Sequence, residues 1–343
     1  MSVDIPFITV IVPVYNGSKF LHRCLDAINA STYRSFDVIV VDDCSTDDSA
    51  EISRAKGAVV LSTEKQSGPA AARNLAAESA RGEILMFVDA DVVVKSNTLG
   101  LVAHRFESRP EISALFGSYD DEPAEQNFLS QYKNLQHHFV HQNSRSDAST
   151  FWSGLGAMRR GVFISHGGFD CKKFAVPSIE DIDLGFRLRK GGHQIMLDRN
   201  IQAKHLKKWE IISHIRTEIF CRALPWSRLI LENQGMINDM NLKTTDRASA
   251  GLVALSLITS PLVFWKPAFI GLILLLLFAV AFLNREILKF FAKRRGVFFA
   301  AATFPWQLLY FFYSGLVFGV LWVKYGLSRS VGISKNEPVE ERR

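Results

Sequence analysis

The chain has little cysteine: four in 343 residues, Cys24, Cys44, Cys171 and Cys221, at no paired spacing. That excludes a disulfide framework and a cysteine zinc site, and it fits a reducing compartment. No internal repeat and no low-complexity tract is present. Residues 1–15 lack the basic stretch and long apolar run of a signal peptide, and Ile8–Val12 is short enough to read as a strand instead. A strong excess of one charge is also missing. The net charge of +6 is too small to argue for nucleic acid. The basic excess lies largely beside apolar segments near the C-terminus.

What is present centres on Ile84-Leu85-Met86-Phe87-Val88-Asp89-Ala90-Asp91. A short continuous apolar run reads as a buried strand of a parallel sheet. Ligands of open α/β sheets bind beyond the carboxyl ends of such strands. Strand-like spacing would put Asp89 and Asp91 on one face. Two carboxylates there repel unless a cation sits between them, and a hard divalent ion suits the spot.

The first 120 residues alternate in the βαβ manner. Phe7–Val12 reads as a strand stopped by Pro13, followed by a helix over 18–30 that Asn16 or Ser18 can cap. Val38–Val41 is a second strand, ending in Asp42-Asp43. Ser45 and Asp48 resemble a capping box for a helix around 47–55. Ala58–Leu61 is a third strand, and Gly68-Pro69 opens a helix over 70–80. Acids at two strand ends, Asp42/Asp43 and Asp89/Asp91, therefore converge on one edge. Either of the first pair can accept hydrogen bonds from a base or a ribose. Arg73 faces the same edge from the start of its helix.

From 110 to 180 the alternation weakens. His137 and His141 have the i, i+4 spacing of a metal pair, but no third ligand is adjacent and a solvated helix face is expected. The segment 151–158 is apolar and bears glycines that could let a substrate approach the backbone. A helix opens at Glu180-Asp181, where acids suit its dipole. Asp183 pairs with Arg187 at i, i+4, leaving Glu180 or Asp181 for chemistry. Gly191-Gly192 stops this helix, Gln194–Leu197 is a short strand, and His205 falls in a basic loop.

Residues 208–232 form one amphipathic pattern that Pro225 should kink or split. It suits either a membrane interface or packing on the preceding domain. Apolar runs at 250–264 and 268–283 read as a two-span hairpin, and 297–323 as a third span. The basic stretch 284–296 should be cytoplasmic by the positive-inside rule, with residues 1–249 on the same side. Parity then sends the tail after 323 across, although it carries Lys324, Arg329 and Lys335.

Five motifs in order resemble a family-2 glycosyltransferase of the membrane-attached subgroup. They are Val10-Ile11-Val12-Pro13-Val14-Tyr15-Asn16, Val40-Val41-Asp42-Asp43-Cys44-Ser45-Thr46-Asp47, Gly68-Pro69-Ala70-Ala71-Ala72-Arg73-Asn74, Asp89-Ala90-Asp91 and Glu180-Asp181-Ile182-Asp183-Leu184. The resemblance implies a GT-A fold, an α/β Rossmann-like mixed sheet, followed by C-terminal transmembrane helices. It implies a catalytic domain over 1–210, and the apolar pattern adds an amphipathic or interfacial region over 211–248, about three membrane helices over 249–325 and a polar tail over 326–343. Pro13, Tyr15, Asp42, Asp43, Arg73 and Asp89 would form the donor-nucleotide pocket. Asp91, with Asp89 and the late His205, would hold a divalent metal, Mg2+ or Mn2+. Trp152, Gly154 and Glu180 would lie on the acceptor side, and Asp181 would be the catalytic base. The processive Gln-x-x-Arg-Trp motif has only Arg222-Ala223-Leu224-Pro225-Trp226 as its nearest match, which argues against polymer synthesis. The implied activity is inverting transfer from a nucleotide-sugar donor to a lipid-linked or other membrane acceptor, with the catalytic domain cytoplasmic. The alternatives are a polyprenyl-phosphate glycosyltransferase and an inactive membrane scaffold.

Overall fold

A computed structural model describes residues 5–233, 239–240 and 243–330. Among the described residues, eight strands form one mixed sheet: β1 (Ile8–Val14), β2 (Phe36–Asp42), β3 (Val59–Ser62), β4 (Ile84–Val88), β5 (Val92–Val94), β6 (Ile112–Tyr119), β7 (Leu155–Arg159) and β8 (Gln194–His205). Their order is β3-β2-β1-β4-β7-β6-β8-β5. The first four are parallel, β7 runs antiparallel to both β4 and β6, and β5 is antiparallel to β8. The order reverses between β1 and β4, the switch point where α/β sheets open a crevice.

Both sheet faces are covered, which is why the strands read as unbroken apolar runs. Val10, Val12, Val40, Met86 and Val88 pack with Leu21, Leu25 and Ile28 of the helix Ser18–Asn29. On the other face Ile11, Val41, Leu85 and Phe87 meet the alanines of the helix Gly68–Ser79, together with Phe163 and Phe169. Adjacent strand residues thus serve opposite cores, as a period of two requires.

Several local expectations are corrected. β1 runs through Pro13, which aligns with Val41 after the β4 ladder has ended at Ile11, where a missing N–H is tolerated. Neither Asn16 nor Ser18 caps the next helix. Asp47 Oδ2 accepts from Ser18 N at 3.0 Å and its Oδ1 from Ser49 N at 3.1 Å, so one carboxylate serves two helix starts. The Ser45–Asp48 box is accordingly absent. Asp89 and Asp91 do not share a strand face: after Val88 the chain turns, with Val92 N donating to Asp89 O at 2.9 Å. His205 is the last residue of β8, aligned with Val92, and not in a loop. The helix Phe128–Gln142 turns its histidines inward, with His138 Nδ1 at 2.8 Å from Tyr119 O and His141 Nδ1 at 3.0 Å from Gly117 O. The expected solvated face therefore lies against β6.

Pro225 acts upstream of itself. The amphipathic stretch divides into Ile211–Arg216, a π-helical segment Thr217–Ala223 and the helix Leu224–Asn233. Proline removes the donor for the carbonyl four residues back. That carbonyl, Cys221 O, instead accepts from Ser178 Oγ at 3.2 Å. Leu229 and Trp226 pack on Phe174 and Ile179, while Ile212 and Phe220 are exposed.

Among the described residues, two C-terminal helical stretches are each long and apolar enough to cross a membrane, Thr244–Phe264 and Val297–Leu327. Phe269–Leu283 packs beside the first, with Val253, Val280 and Phe311 in one cluster. Its 15 residues rise about 22 Å, short of a hydrocarbon core of about 30 Å. The basic stretch is a separate helix, Arg285–Arg295, bent 70° from its predecessor. It docks on the sheet domain: Phe291 packs on Tyr132 and Leu135, Arg295 Nε donates to Gln131 Oε1 at 2.6 Å, and Arg294 pairs with Asp121. Residues 331–343, most of the expected polar tail and including Lys335, lie outside the described residues.

The helix Glu180–Lys190 approaches residues 150–151 so closely that a Cβ on Gly185 would lie 2.3 Å from Phe151 N. Gly185→Ala should cost about 1–3 kcal/mol of stability, read as a fall in melting temperature. Gly161→Ala, where no atom lies within 4 Å of the added carbon, is the matched control and should leave the melting temperature unchanged or slightly raised. Equal melting temperatures for the two variants would refute the close-packing assignment.

Candidate active site

The carboxyl ends of β1, β2 and β4 and the start of antiparallel β7 meet at one edge. Tyr15, just beyond β1, is exposed, Pro13 half-buried, and Asp42 and Asp43 are buried beside them. Asp42 Oδ1 accepts from Ser45 N at 3.1 Å. Asp43 is fully engaged: Oδ1 accepts from Thr63 Oγ1 at 2.7 Å and Ser67 N at 2.8 Å, and Oδ2 from Gly68 N at 2.8 Å. Its carboxylate fixes the start of the helix that carries Arg73.

Arg73 is 4% exposed and joins two distant acids. Nη2 meets Asp89 Oδ1 at 2.7 Å and Nη1 meets Glu180 Oε1 at 3.0 Å. The cation between carboxylates that the Asp-Ala-Asp spacing called for is, at Asp89, this guanidinium. Glu180 is therefore not open to solvent chemistry; its other oxygen accepts from Ser178 N at 3.0 Å.

Asp181 follows in sequence and faces the segment before β7. Oδ2 accepts from Ser153 N at 2.9 Å and Ser153 Oγ at 3.2 Å, and Oδ1 from Ile182 N at 2.8 Å. Burial first, then the adjacent Glu180 charge, push its pKa up to about 6, against the bond from Ser153. One residue further on, Gly154 O accepts from Asp89 N at 3.2 Å. A Cβ on Gly154 would sit 2.7 Å from the Trp152 ring and 3.0 Å from Asp89 Oδ2. Trp152-Ser153-Gly154 thus holds Asp181 and Asp89 side by side.

Asp91 lies across from His205, with Oδ2 3.4 Å from Nε2. Burial works to raise the Asp91 pKa, but His205 and then Lys207 outweigh it and hold the carboxyl below its ordinary value. Among the described residues no three His, Cys, Asp or Glu side chains gather as a complete metal-holding group. Asp91 and His205 still supply an oxygen and a nitrogen donor facing each other. That pair fits an ion that takes one or two protein ligands and completes its shell with waters and substrate phosphates.

Sequence reasoning missed Tyr119, Ser153 and the role of His137. Tyr119 stacks on His205 at 4.2 Å and 9°, and meets Trp152 edge-on at 4.9 Å and His137 at 4.5 Å. His137 and His141 lie 4.0 Å apart against Trp152. Burial drives both imidazoles down, His141 to about 4, so both are neutral at pH 7. The i, i+4 pair is a wall of the site. The i, i+4 ion pair of Asp183 with Arg187 forms as expected, at 3.0 Å.

Removing one partner of a buried ion network leaves the others unpaired, at about 3–5 kcal/mol. Arg73→Gln should fall near the lower end, because Asp89 is about one-third exposed and partly screened. Adding Glu180→Gln should recover part of the loss by removing one stranded charge. Thermal unfolding of the single and double variants checks this. A double variant no more stable than Arg73→Gln alone would show that Glu180 is not held by Arg73.

Among curated proteins, the chain is 33% identical over 126 residues to glycosyltransferase GlyG of Streptococcus pneumoniae, covering 35% of this chain and 42% of GlyG. It is 38% identical over 98 residues to glycosyltransferase AglE of Haloferax volcanii, covering 26% of this chain and 32% of AglE. The chain thus spans under half the length of these relatives. Among solved structures it is similar to a mannosyltransferase from Pyrobaculum calidifontis, with TM-score 0.56 and 18% identity over 94% of this chain and 89% of that one. It is also similar to S. aureus TarS 1-349, with TM-score 0.53 and 18% identity over 98% and 95%. The fold is GT-A, as the order of strands and the motifs implied. Residues 9–167 match the family Glycosyl transferase family 2, which supports a family-2 glycosyltransferase domain in this chain.

Proposed function

We propose that this protein transfers a sugar from a nucleotide-sugar donor, with inversion, to a membrane-associated acceptor. The observation that carries the reading is the pairing of Asp181 with Asp89 through Ser153 and Gly154. A buried carboxylate with a raised pKa stands beside the switch-point crevice, where open α/β sheets usually bind ligands. The mannosyltransferase was solved with GDP-Man and Mn2+, and TarS with UDP-GlcNAc. The two donors differ in base and in sugar and share the nucleoside diphosphate, so the class carries over and the individual donor does not.

In this reading the nucleotide lies along Pro13, Tyr15, Asp42 and Arg73. Asp43 acts by ordering the loop before Arg73. The acceptor hydroxyl enters past Trp152 and Gly154. Its oxygen attacks the anomeric carbon as the bond to the diphosphate breaks, and Asp181 takes its proton. Asp91 and His205 would hold a divalent ion, which supplies positive charge to the leaving diphosphate. Arg73 keeps Asp89 charge-compensated, and Tyr119 fixes the plane of the His205 ring.

The apolar stretches Thr244–Phe264 and Val297–Leu327 support attachment to a membrane. The basic helix Arg285–Arg295 docks on the sheet domain, so domain and basic charge share one side. By the positive-inside rule that side is cytoplasmic. Protease added to sealed inside-out vesicles should therefore digest residues of the sheet domain, while protection of the domain would reverse this orientation.

The base assignment has a pH signature. Below about 6 the Asp181 carboxyl is protonated and accepts no proton, so turnover should rise with pH through about 6 and then level. Asp181→Asn keeps shape and hydrogen-bonding reach but should lower turnover on the order of 10²–10⁴-fold and abolish this limb. Sugar transfer by detergent-purified protein, followed by nucleotide release across pH, is the measurement. Near-normal turnover in the Asn variant would remove Asp181 from the chemistry.

A further inference from the structure

The end of the sheet opposite the candidate active site also carries a recess. β6 and β8 are parallel and start side by side, at Ile112 and Gln194. β7 is antiparallel to both β4 and β6, so β4 and β6 run in the same direction. Their carboxyl ends face the crevice and their amino ends face away from it. A groove of about 520 Å³ opens at the amino ends of β6 and β8, between Arg109, Asp147, Arg189 and Gln194. Tyr119, the last residue of β6, stacks on His205 in the candidate active site. The rise of β6 from Ile112 to Tyr119 puts about 23 Å between groove and site.

The walls of the groove are fixed by backbone bonds. Ala148 N donates to Ile195 O at 2.9 Å and Leu197 N to Ser146 O at 2.8 Å, so residues 146–148 lie alongside β8. Asp147 meets Met196 in this pairing as an antiparallel bridge. Arg189 holds the Asp147 carboxylate with both terminal nitrogens, Nη1 donating to Oδ1 at 2.8 Å and Nη2 to Oδ2 at 3.2 Å. Arg109 pairs with Glu111. His193 Nδ1 lies 2.7 Å from Ser113 Oγ, and burial first, then the neighbouring His166, lower its pKa, so the ring is neutral at pH 7. Among the described residues that line the groove, each arginine therefore has its own acid, and the charges cancel.

That balance selects the ligand. A phosphate or a nucleotide gives up its hydration only to an unpaired cation, and a cationic ligand only to an unpaired acid. A neutral polar molecule needs neither. The Arg189 and Asp147 side chains are 33% and 55% exposed, so their remaining N–H donors and carboxylate lone pairs stay open to a ligand. Gln194, also exposed, adds an amide donor and acceptor beside them. Ile112, Ile195 and Met196 give the groove an apolar floor. Neighbouring donors and acceptors above apolar carbon match a sugar ring, which carries hydroxyls around its edge and C–H groups on its faces. The volume is that of a small-molecule site. We propose that this groove is a second, non-catalytic binding site for a neutral saccharide. The choice of a saccharide among neutral polar molecules rests on the sugar-transfer reading, since an enzyme that extends glycans meets sugars on its acceptor and its product.

The test is isothermal titration of the full chain in lauryldimethylamine oxide, a detergent without a sugar head group. The probes are maltose, chitobiose and inorganic phosphate. At least one disaccharide should bind, with a Kd on the order of 1 mM, and phosphate should not displace it. Asp147→Ala should weaken that disaccharide on the order of tenfold. Gln194→Ala, which leaves the ion pair in place, should weaken it about threefold and covers the case in which the first variant unfolds. Three results would each overturn the proposal. One is binding of neither disaccharide up to about 50 mM. Another is displacement by phosphate. The third is unchanged affinity in the variants, as expected for a sugar held in the catalytic crevice instead. Because no turnover is needed, loss of the sugar-transfer reading would appear separately, as absence of nucleotide release by the unmodified chain.

Discussion

The site depends on one buried guanidinium. Arg73 comes from the helix after β3, Asp89 from the end of β4, and Glu180 from the start of a helix more than a hundred residues later. A buried charge is stable only when paired and hydrogen-bonded. Burying Arg73 therefore commits the chain to bring both carboxylates to it. That requirement fixes the helix Glu180–Lys190 against the switch point of the sheet. It also buries Asp181 beside a negative neighbour; burial first, then that neighbour's charge, push its pKa up to about 6. A structural ion pair and a chemical property thus share a cause. Glu180 cannot be chosen for Arg73 without changing the proton affinity of the residue that follows it.

The second constraint is steric. β7 is antiparallel to β4, so the chain entering β7 passes directly over the end of β4. Trp152-Ser153-Gly154 must fit between Asp89 and Asp181. Glycine at 154 leaves room for the Trp152 ring and the Asp89 carboxylate, and Gly156 approaches Trp152 O where a Cβ would lie 2.3 Å away. Serine at 153 offers two donors to one carboxylate oxygen. These small residues appear in sequence only as an apolar stretch with glycines, because the surfaces they fit are remote in the chain.

That difference separates what could be read early from what could not. The strands β1, β2 and β4 were legible because burial on both faces writes a continuous apolar run, whatever the neighbours are. The pairing of Asp183 with Arg187 was legible because it lies within one helix. Asp47, by contrast, caps a helix that begins 29 residues before it, so the search for a cap nearby pointed to Asn16 and Ser18 instead. The polar look of His137, His138 and His141 suggested solvent, yet β6 offers carbonyls at Gly117 and Tyr119 that turn two of these rings inward. His205 looked like a loop residue because β5, the three-residue strand that pairs with it, is too short to stand out. Residues that carry a motif could be named from the sequence as candidates, while Tyr119 and Ser153, whose part is to touch other side chains, could not.

The last link runs through a proline. Pro225 leaves Cys221 O without its helical donor, and Ser178 supplies one. The backbone N–H of the same serine donates to Glu180 Oε2. The irregular helical segment that meets Tyr313 of the long apolar helix is therefore one hydrogen bond from the serine that also steadies the Glu180 carboxylate. A straight helix over 211–233 would satisfy its own carbonyls and leave Ser178 unengaged. The break in the helix gives the segment beside the apolar helices a fixed position relative to Arg73, Glu180 and Asp181. A single residue that cannot donate a hydrogen bond thus connects the C-terminal helices to the candidate base.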